Sequence, residues 1–423
     1  MTGHDWTLAV AAALLIVYAA LSRRLDRGPI SAAIFFVSAG LAFGSDGLGW
    51  IDLSPSSETV RLLAEATLTL VLFTDASRLD FGRLRAEYTV PLRLLGIGLP
   101  LTILLGAGLA AVCFGGLSVT EALVLGVLLA PTDAALGQAV VTDERLPSRI
   151  RQGLNVESGL NDGICVPLLL IVLAVAEADA GDFGVHEAVR IVFEEIGYGL
   201  VCGIAAGTLA AVVAGLAARR GWIEGSWLQV IPVAGAALCY GLADSIGGSG
   251  FIAAFVGGFV FGRISRSREG DIRYLLEESG QVLNAGTFLV FGAAILGSTL
   301  GALTWQVALY AVLSLTVVRM LPVAIAMLGT GARRPTLGFL GWFGPRGLAS
   351  IVFAVIILDE AELPGQETIL LATFATIALS VYAHGASARV LTNRYARWYE
   401  SHPRGQAPME SVPAAHQRWR SPV

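Results

Sequence analysis

The sequence predicts an all-α polytopic membrane protein of about thirteen transmembrane helices, built as inverted repeats with two broken helices crossing at mid-membrane. Three observations carry this. Hydrophobic residues make up 55% of the chain and charged residues only 14%, with a mean hydropathy of +0.70. An ordinary soluble domain carries about 25% charge. Apolar runs recur along nearly the whole length, and arginines cluster in alternate connections between them.

The apolar segments lie near 6–22, 29–45, 58–77, 88–113, 119–141, 150–177, 188–217, 226–244, 248–264, 274–297, 302–328, 337–358 and 367–391. Several fall short of the roughly 20 residues that span a bilayer, so these start or end among headgroups. The first lacks a basic stretch before it and reads as a retained span rather than a cleaved signal. Connections after odd-numbered segments hold the arginines, from SRRLDRGP after the first to NRYARWYESHPR after the thirteenth. Those after even-numbered segments, such as FGGLSVTE and GSTLGALT, are nearly free of them. Basic residues concentrate in cytoplasmic loops, so the N-terminus is expected outside and the C-terminus inside. An even number of spans would break the alternation. Residues 1–399 then form one membrane domain in the cytoplasmic membrane. Residues 400–423, rich in Pro, Ser, Gln and Arg, read as a short disordered cytoplasmic tail.

Some chemistry is excluded. A net charge of −5 gives no reason to expect a nucleic-acid partner. All of the basic residues are arginine, from which no mechanism follows. Cys113, Cys165, Cys202 and Cys239 are scattered through apolar segments without metal or disulfide spacing, and read as packing residues. No cofactor is expected.

Ionisable groups inside spans are costly and mark function by default. Asp133 lies in VLGVLLAPTDAALGQAVV, where Pro131 removes a backbone donor and disfavours helix at Ala130. A helix interrupted at mid-membrane leaves free carbonyls and amides, tolerated only in a cavity or within packed protein. Thr132 and Asp133 stand at that interruption. Arg346 lies in GWFGPRGLAS, where Gly341, Gly344, Pro345 and Gly347 make a second break. The breaks fall in the fifth and twelfth segments. An inverted repeat of segments 1–6 and 8–13, joined by the seventh, puts them in corresponding places, the arrangement that marks a midplane transport site. A carboxylate suits a helix N-terminus and a cation a C-terminus, so Asp133 and Arg346 can each compensate the other's broken helix.

NVESGLNDG sets Glu157, Ser158, Asn161 and Asp162 within about 140° of one helical face at the start of the sixth segment. The oxygens of Ser158, Asn161 and Asp162 are hard ligands for a dehydrated cation, and no His or Cys accompanies them as zinc or copper would require. The alternative, a polar interfacial turn with the span starting at Gly163, leaves a short span. Arg319 stands alone in ALYAVLSLTVVRMLPVAIAMLG and needs a partner, for which Glu157 is the economical candidate; snorkelling is the alternative. Asp75, Asp80 and Asp244 lie near predicted ends and read as interfacial, while Glu65 either lines a funnel or snorkels. Glu277 and Glu278 balance the ninth loop's arginines, and His384 reads as a packed histidine.

APTDAAL in one broken segment, NVESGLNDG in the next and GWFGPRGLAS in the twelfth together resemble the monovalent cation:proton antiporters of the NhaP type, over essentially the whole membrane part. The resemblance implies that Thr132 and Asp133 match the Thr-Asp pair of the first broken helix and that Asp162 matches the ion-carrying aspartate. It implies that Ser158 helps hold the ion, that Glu157 pairs with Arg319, and that Arg346 matches the arginine of the second break. It also implies a homodimer working by elevator-like alternating access. One departure is visible: Ala134 follows the Thr-Asp pair, where many relatives have Pro.

On this basis Asp162 binds either a proton or a monovalent cation, with Ser158, Asn161, Thr132 and Asp133 as further ligands. Burial disfavours a bare carboxylate, and either partner neutralises it. Asn161 is uncharged, so one carboxylate exchanges one charge and the exchange is electroneutral. Na⁺ and Li⁺ are favoured as substrates, with K⁺ as the alternative. A cation channel is the competing class. An intramembrane hydrolase would need Ser158 or Ser249 beside His384, and neither serine has a supporting motif.

Overall fold

The computed structural model describes residues 6–25, 28–79, 89–133, 136–180, 184–265, 272–402 and 409–411. Asp80, Arg83, Arg85, Ala134, Arg266, Arg268 and most of the 400–423 tail lie outside them.

Every regular element among the described residues is a helix, and none is a strand. In chain order the helices are α1 Thr7–Leu25, α2 Ala32–Phe43, α3 Glu58–Ser77, α4 Thr89–Cys113, α5 Val119–Leu128, α6 Gln138–Val141, α7 Ser148–Ala180 and α8 Val185–Arg219. They continue with α9 Gly225–Asp244, α10 Gly250–Ser265, α11 Tyr274–Gly301, α12 Trp305–Ala326, α13 Arg334–Trp342, α14 Leu348–Glu360 and α15 Gln366–Ser401. Among the described residues, eight helices (α1, α4, α7, α8, α9, α11, α12 and α15) are long and apolar enough to cross a membrane. Shorter apolar helices at Ala32–Phe43, Val119–Leu128, Gly250–Ser265 and Leu348–Leu358 accompany them. The fifth and twelfth apolar runs each divide, into α5 and α6 and into α13 and α14.

Local signals place several starts. Ser31, Ser57 and Thr304 accept the N–H groups of Ile34, Val60 and Val307 and so cap α2, α3 and α12. Other features were not among the sequence expectations. α4 and α11 each contain a π-helical turn, at Leu94–Gly98 and Phe291–Leu296. α12 bends at Thr316, whose φ of −107° and ψ of −85° are not helical.

Two groups of helices pack side by side. In one, α8 lies on α9 and α10, α10 lies on α3, and α11 joins α3 to α2. In the other, α4 packs on α5 and α12, α5 on α7, and α12 on α13 and α15. α7 touches both groups. Small residues permit the closest approaches, as expected where lipid gives no hydrophobic drive between helices. A Cβ on Gly207 of α8 would stand 2.4 Å from the Gly257 carbonyl oxygen of α10.

Candidate ion site at two crossed helix breaks

α5 ends at Leu128 because Pro131 cannot continue the ladder, and α13 ends at Trp342 before the Gly-Pro-Arg-Gly stretch. The two non-helical stretches meet. The Asp133 N–H donates to the Pro345 carbonyl at 2.8 Å, and the Leu348 N–H donates to Asp133 Oδ2 at 2.9 Å. A carboxylate thus sits on the N-terminus of α14, where free amides favour negative charge. Arg346 Nη1 donates to the carbonyls of Ala130 and Pro131 at 2.7 and 3.0 Å, where α5 ends and cationic charge is favoured. Ser350 Oγ adds a 2.7 Å bond to the Leu128 carbonyl, and the Arg346 N–H donates to Ser380 Oγ at 2.7 Å. Arg346 is fully buried. Gly347 is required by this crossing, since a Cβ there would lie 2.1 Å from Asp133 Oδ2.

α7 brings its polar face to the first break. Ser158 Oγ donates to the Thr132 carbonyl, and Asn161 Nδ2 donates to Thr132 Oγ1 at 2.7 Å. Thr132, Ser158, Asn161 and Asp162 are all buried. Two acceptors remain: Asn161 Oδ1 and Asp162 Oδ1 are buried and take no hydrogen bond among the described residues. Buried acceptors are normally satisfied, and this pair is open to a hydrogen-bond donor or a cation.

Behind this face, Arg319 Nη1 and Nη2 donate to Glu157 Oε1 and Oε2 at 2.6 and 2.9 Å, both side chains being 3% exposed. The guanidinium lies against the second break, where a Cβ on Gly344 would be 2.2 Å from Arg319 Nε. The pair therefore ties α7 to α12 and to the stretch that carries Arg346.

Asp75, expected at an interface, is half-buried near the end of α3, 4.0 Å from Arg78, and also faces α7, where a Cβ on Gly159 would stand 3.2 Å from its Cβ. Gly159 lies one turn before Asp162, so a further carboxylate borders the site. The available signal was the apolar run LVLFT just before it. Ser350 and Ser380 also went unread, because serines in apolar helices are common. Among the other carboxylates, Glu65 pairs with Arg61 at 2.7 Å, Glu277 with Arg78 at 2.9 Å, and Asp244 is exposed. His384 is buried with its Nδ1 3.1 Å from Ser380 Oγ and its ring against Trp342. Ser158 bonds Thr132 and Ser249 accepts from Ile252, so neither serine forms the pair a hydrolase would need.

Two helices interrupted at one level, each terminated by a charge from the other, with unsatisfied oxygens beside them, define the class of secondary ion transporters. The transmembrane sodium/hydrogen exchanger family matches residues 10–394, and the chain belongs to that family. It is 25% identical over 387 residues to the K⁺/H⁺ antiporter NhaP2 of Shewanella sp. strain ANA-3, covering 90% of this chain and 64% of that one. It is 25% identical over 383 residues to the Na⁺/H⁺ antiporter ApNhaP of Aphanothece halophytica, covering 86% and 69%. The chain thus spans about two-thirds of the length of these relatives. Its fold is similar to that of the sodium proton antiporter MjNhaP1 from Methanocaldococcus jannaschii at pH 8, with a TM-score of 0.73 and 19% identity over 92% of this chain and 98% of the other. These relatives are transporters rather than enzymes, and the chain is a multi-pass membrane protein.

Proposed function

We propose that the chain exchanges a monovalent cation for a proton, one for one, at Asp162. The observation that carries this reading is the pair of unsatisfied oxygens, Asn161 Oδ1 and Asp162 Oδ1, beside the Thr132 hydroxyl and the two breaks. A bare carboxylate is expensive to carry through a low dielectric, whereas one neutralised by a proton or a cation is not. Loading by one excludes the other, and that exclusion couples the opposite fluxes. Asn161 contributes an oxygen without charge, which supports electroneutral exchange. Asp133 and Arg346 hold the two breaks, and Glu157 with Arg319 holds α7 against the second of them.

The eight long spans, α2, α3, α10 and the two broken pairs make thirteen crossings in this reading. The first six and last six relate as inverted repeats around α8. α3 carries Arg61, Glu65 and Asp75 among its apolar residues. The alternating arginines support an outer N-terminus and a cytoplasmic C-terminus in the cytoplasmic membrane. A homodimer with elevator-like movement follows from the family resemblance.

Na⁺ and Li⁺ are the favoured substrates and K⁺ the alternative; the relatives are named for both K⁺ and Na⁺. Proteoliposomes bearing an imposed pH gradient, given Na⁺, Li⁺ and K⁺ in turn, test this. The cation that collapses the gradient is the substrate. Collapse by none of them, with folded protein, rejects antiport and leaves a channel or another substrate.

A further inference from the structure

The ends farthest from the breaks, in the two half-helices that lead into them, are closed in different ways. α5 closes itself: Ser118 accepts the Glu121 N–H at 3.1 Å, and Glu121 Oε2 accepts the Ser118 N–H at 2.8 Å. Glu121 Oε1 also takes the Gly365 N–H at 2.6 Å, so α15 is fixed to the same carboxylate. α13 has no such local device. Its N-cap is Arg333, which makes no side-chain capping bond, and its first turn contains no acidic residue. The first amides of a helix need acceptors, and they favour negative charge.

The acceptor comes from the far end of the chain. Glu410 Oε1 accepts the Arg333 N–H at 3.0 Å and the Thr336 hydroxyl at 2.5 Å. Thr336 Oγ1 is also 2.9 Å from the Tyr395 hydroxyl of α15, and the Tyr399 hydroxyl donates to the Glu410 carbonyl at 3.4 Å. Glu410 is 1% exposed. Its neighbour Met409 is buried in the apolar cluster that holds Phe339, Phe343 and Tyr395. The disorder expected over 400–423 therefore does not extend to 409–411, and α15 continues to Ser401. The apolar Met409 anchors a segment that otherwise reads as polar.

α13 has nine residues, so its capped end stands only about 13 Å from the Phe343–Gly347 break. A shift of this short rod along its axis moves the Pro345 carbonyl and Arg346 against Asp133. The geometry points to Glu410 as a positioning residue for the ion site, acting from the C-terminal segment through α13 and the second break. This rests on the antiporter reading above.

The test uses the full chain in proteoliposomes. Proton exchange is followed against concentration of whichever of Na⁺, Li⁺ or K⁺ wild type uses. Glu410→Ala is expected to raise the half-saturating cation concentration about fivefold, the factor a lost helix cap is worth. Glu410→Gln keeps the acceptor oxygen and is expected to stay within about twofold of wild type. Thr336→Val, which removes one donor and leaves the tail intact, shifts in the same direction and carries the test if Glu410→Ala fails to fold. Unchanged half-saturation in the folded variants overturns the proposal, as does a fall in maximum rate alone, which lost folded protein would explain. Absence of exchange in wild type overturns the antiporter reading and this proposal with it, a distinct result.

Discussion

At the scale of residues, the ion pair of Arg319 and Glu157 is the most exposed to test. Both groups are buried, and the bond is bidentate. Removing one partner leaves an uncompensated buried charge, which costs about 3–5 kcal/mol. Arg319→Ala is expected to lower thermal stability in detergent by that order. Replacing both residues together by apolar ones of similar volume should cost much less, because no charge is then stranded. The pair was legible in the sequence, since a single arginine amid apolar residues requires a partner unless it snorkels, and Glu157 was the economical candidate. Asp75 was not legible: its place beside α7 depends on how α3 crosses α7, which no local pattern encodes. The same holds for Ser350 and Ser380, whose roles exist only once the breaks meet.

Among the elements, the breaks were readable because proline and clustered glycine leave a chemical mark. Pro131 and Gly-Pro-Arg-Gly announced them, and Asp133 and Arg346 announced what terminates them. The π-helical turns in α4 and α11 and the bend at Thr316 carry fainter marks: Pro100 supplies no amide just after the first, and the Thr316 hydroxyl donates back to the Val312 carbonyl at 2.7 Å. Packing between whole helices follows the small residues. Gly207→Val is expected to push α8 from α10, because even a Cβ would meet the Gly257 carbonyl at 2.4 Å. Overpacking of this kind costs about 1–3 kcal/mol. A lower unfolding temperature with unchanged cation preference is the expected result, since α8 carries no ligand of the site. A changed preference would mean that α8 shapes the site directly.

For the whole molecule, hydropathy and the alternation of arginines carried the reading of a polytopic chain, and the family match over residues 10–394 agrees with it. What they did not carry is the closure of the bundle by its own C-terminal segment, because the partner of Glu410 lies 77 residues back at Arg333. In the proposed reading three distant regions act together: the first break, the second break and the C-terminal segment that caps α13. All of them serve a single carboxylate in that reading. The most direct test of that claim is cation-driven proton movement by Asp162→Asn, incorporated in liposomes at the same folded amount as wild type. The substitution keeps size and hydrogen-bonding capacity while removing the charge that a proton or cation neutralises. The account predicts no coupled exchange at any cation concentration. Exchange near the wild-type rate would show that the coupling carboxylate lies elsewhere, and would contradict it.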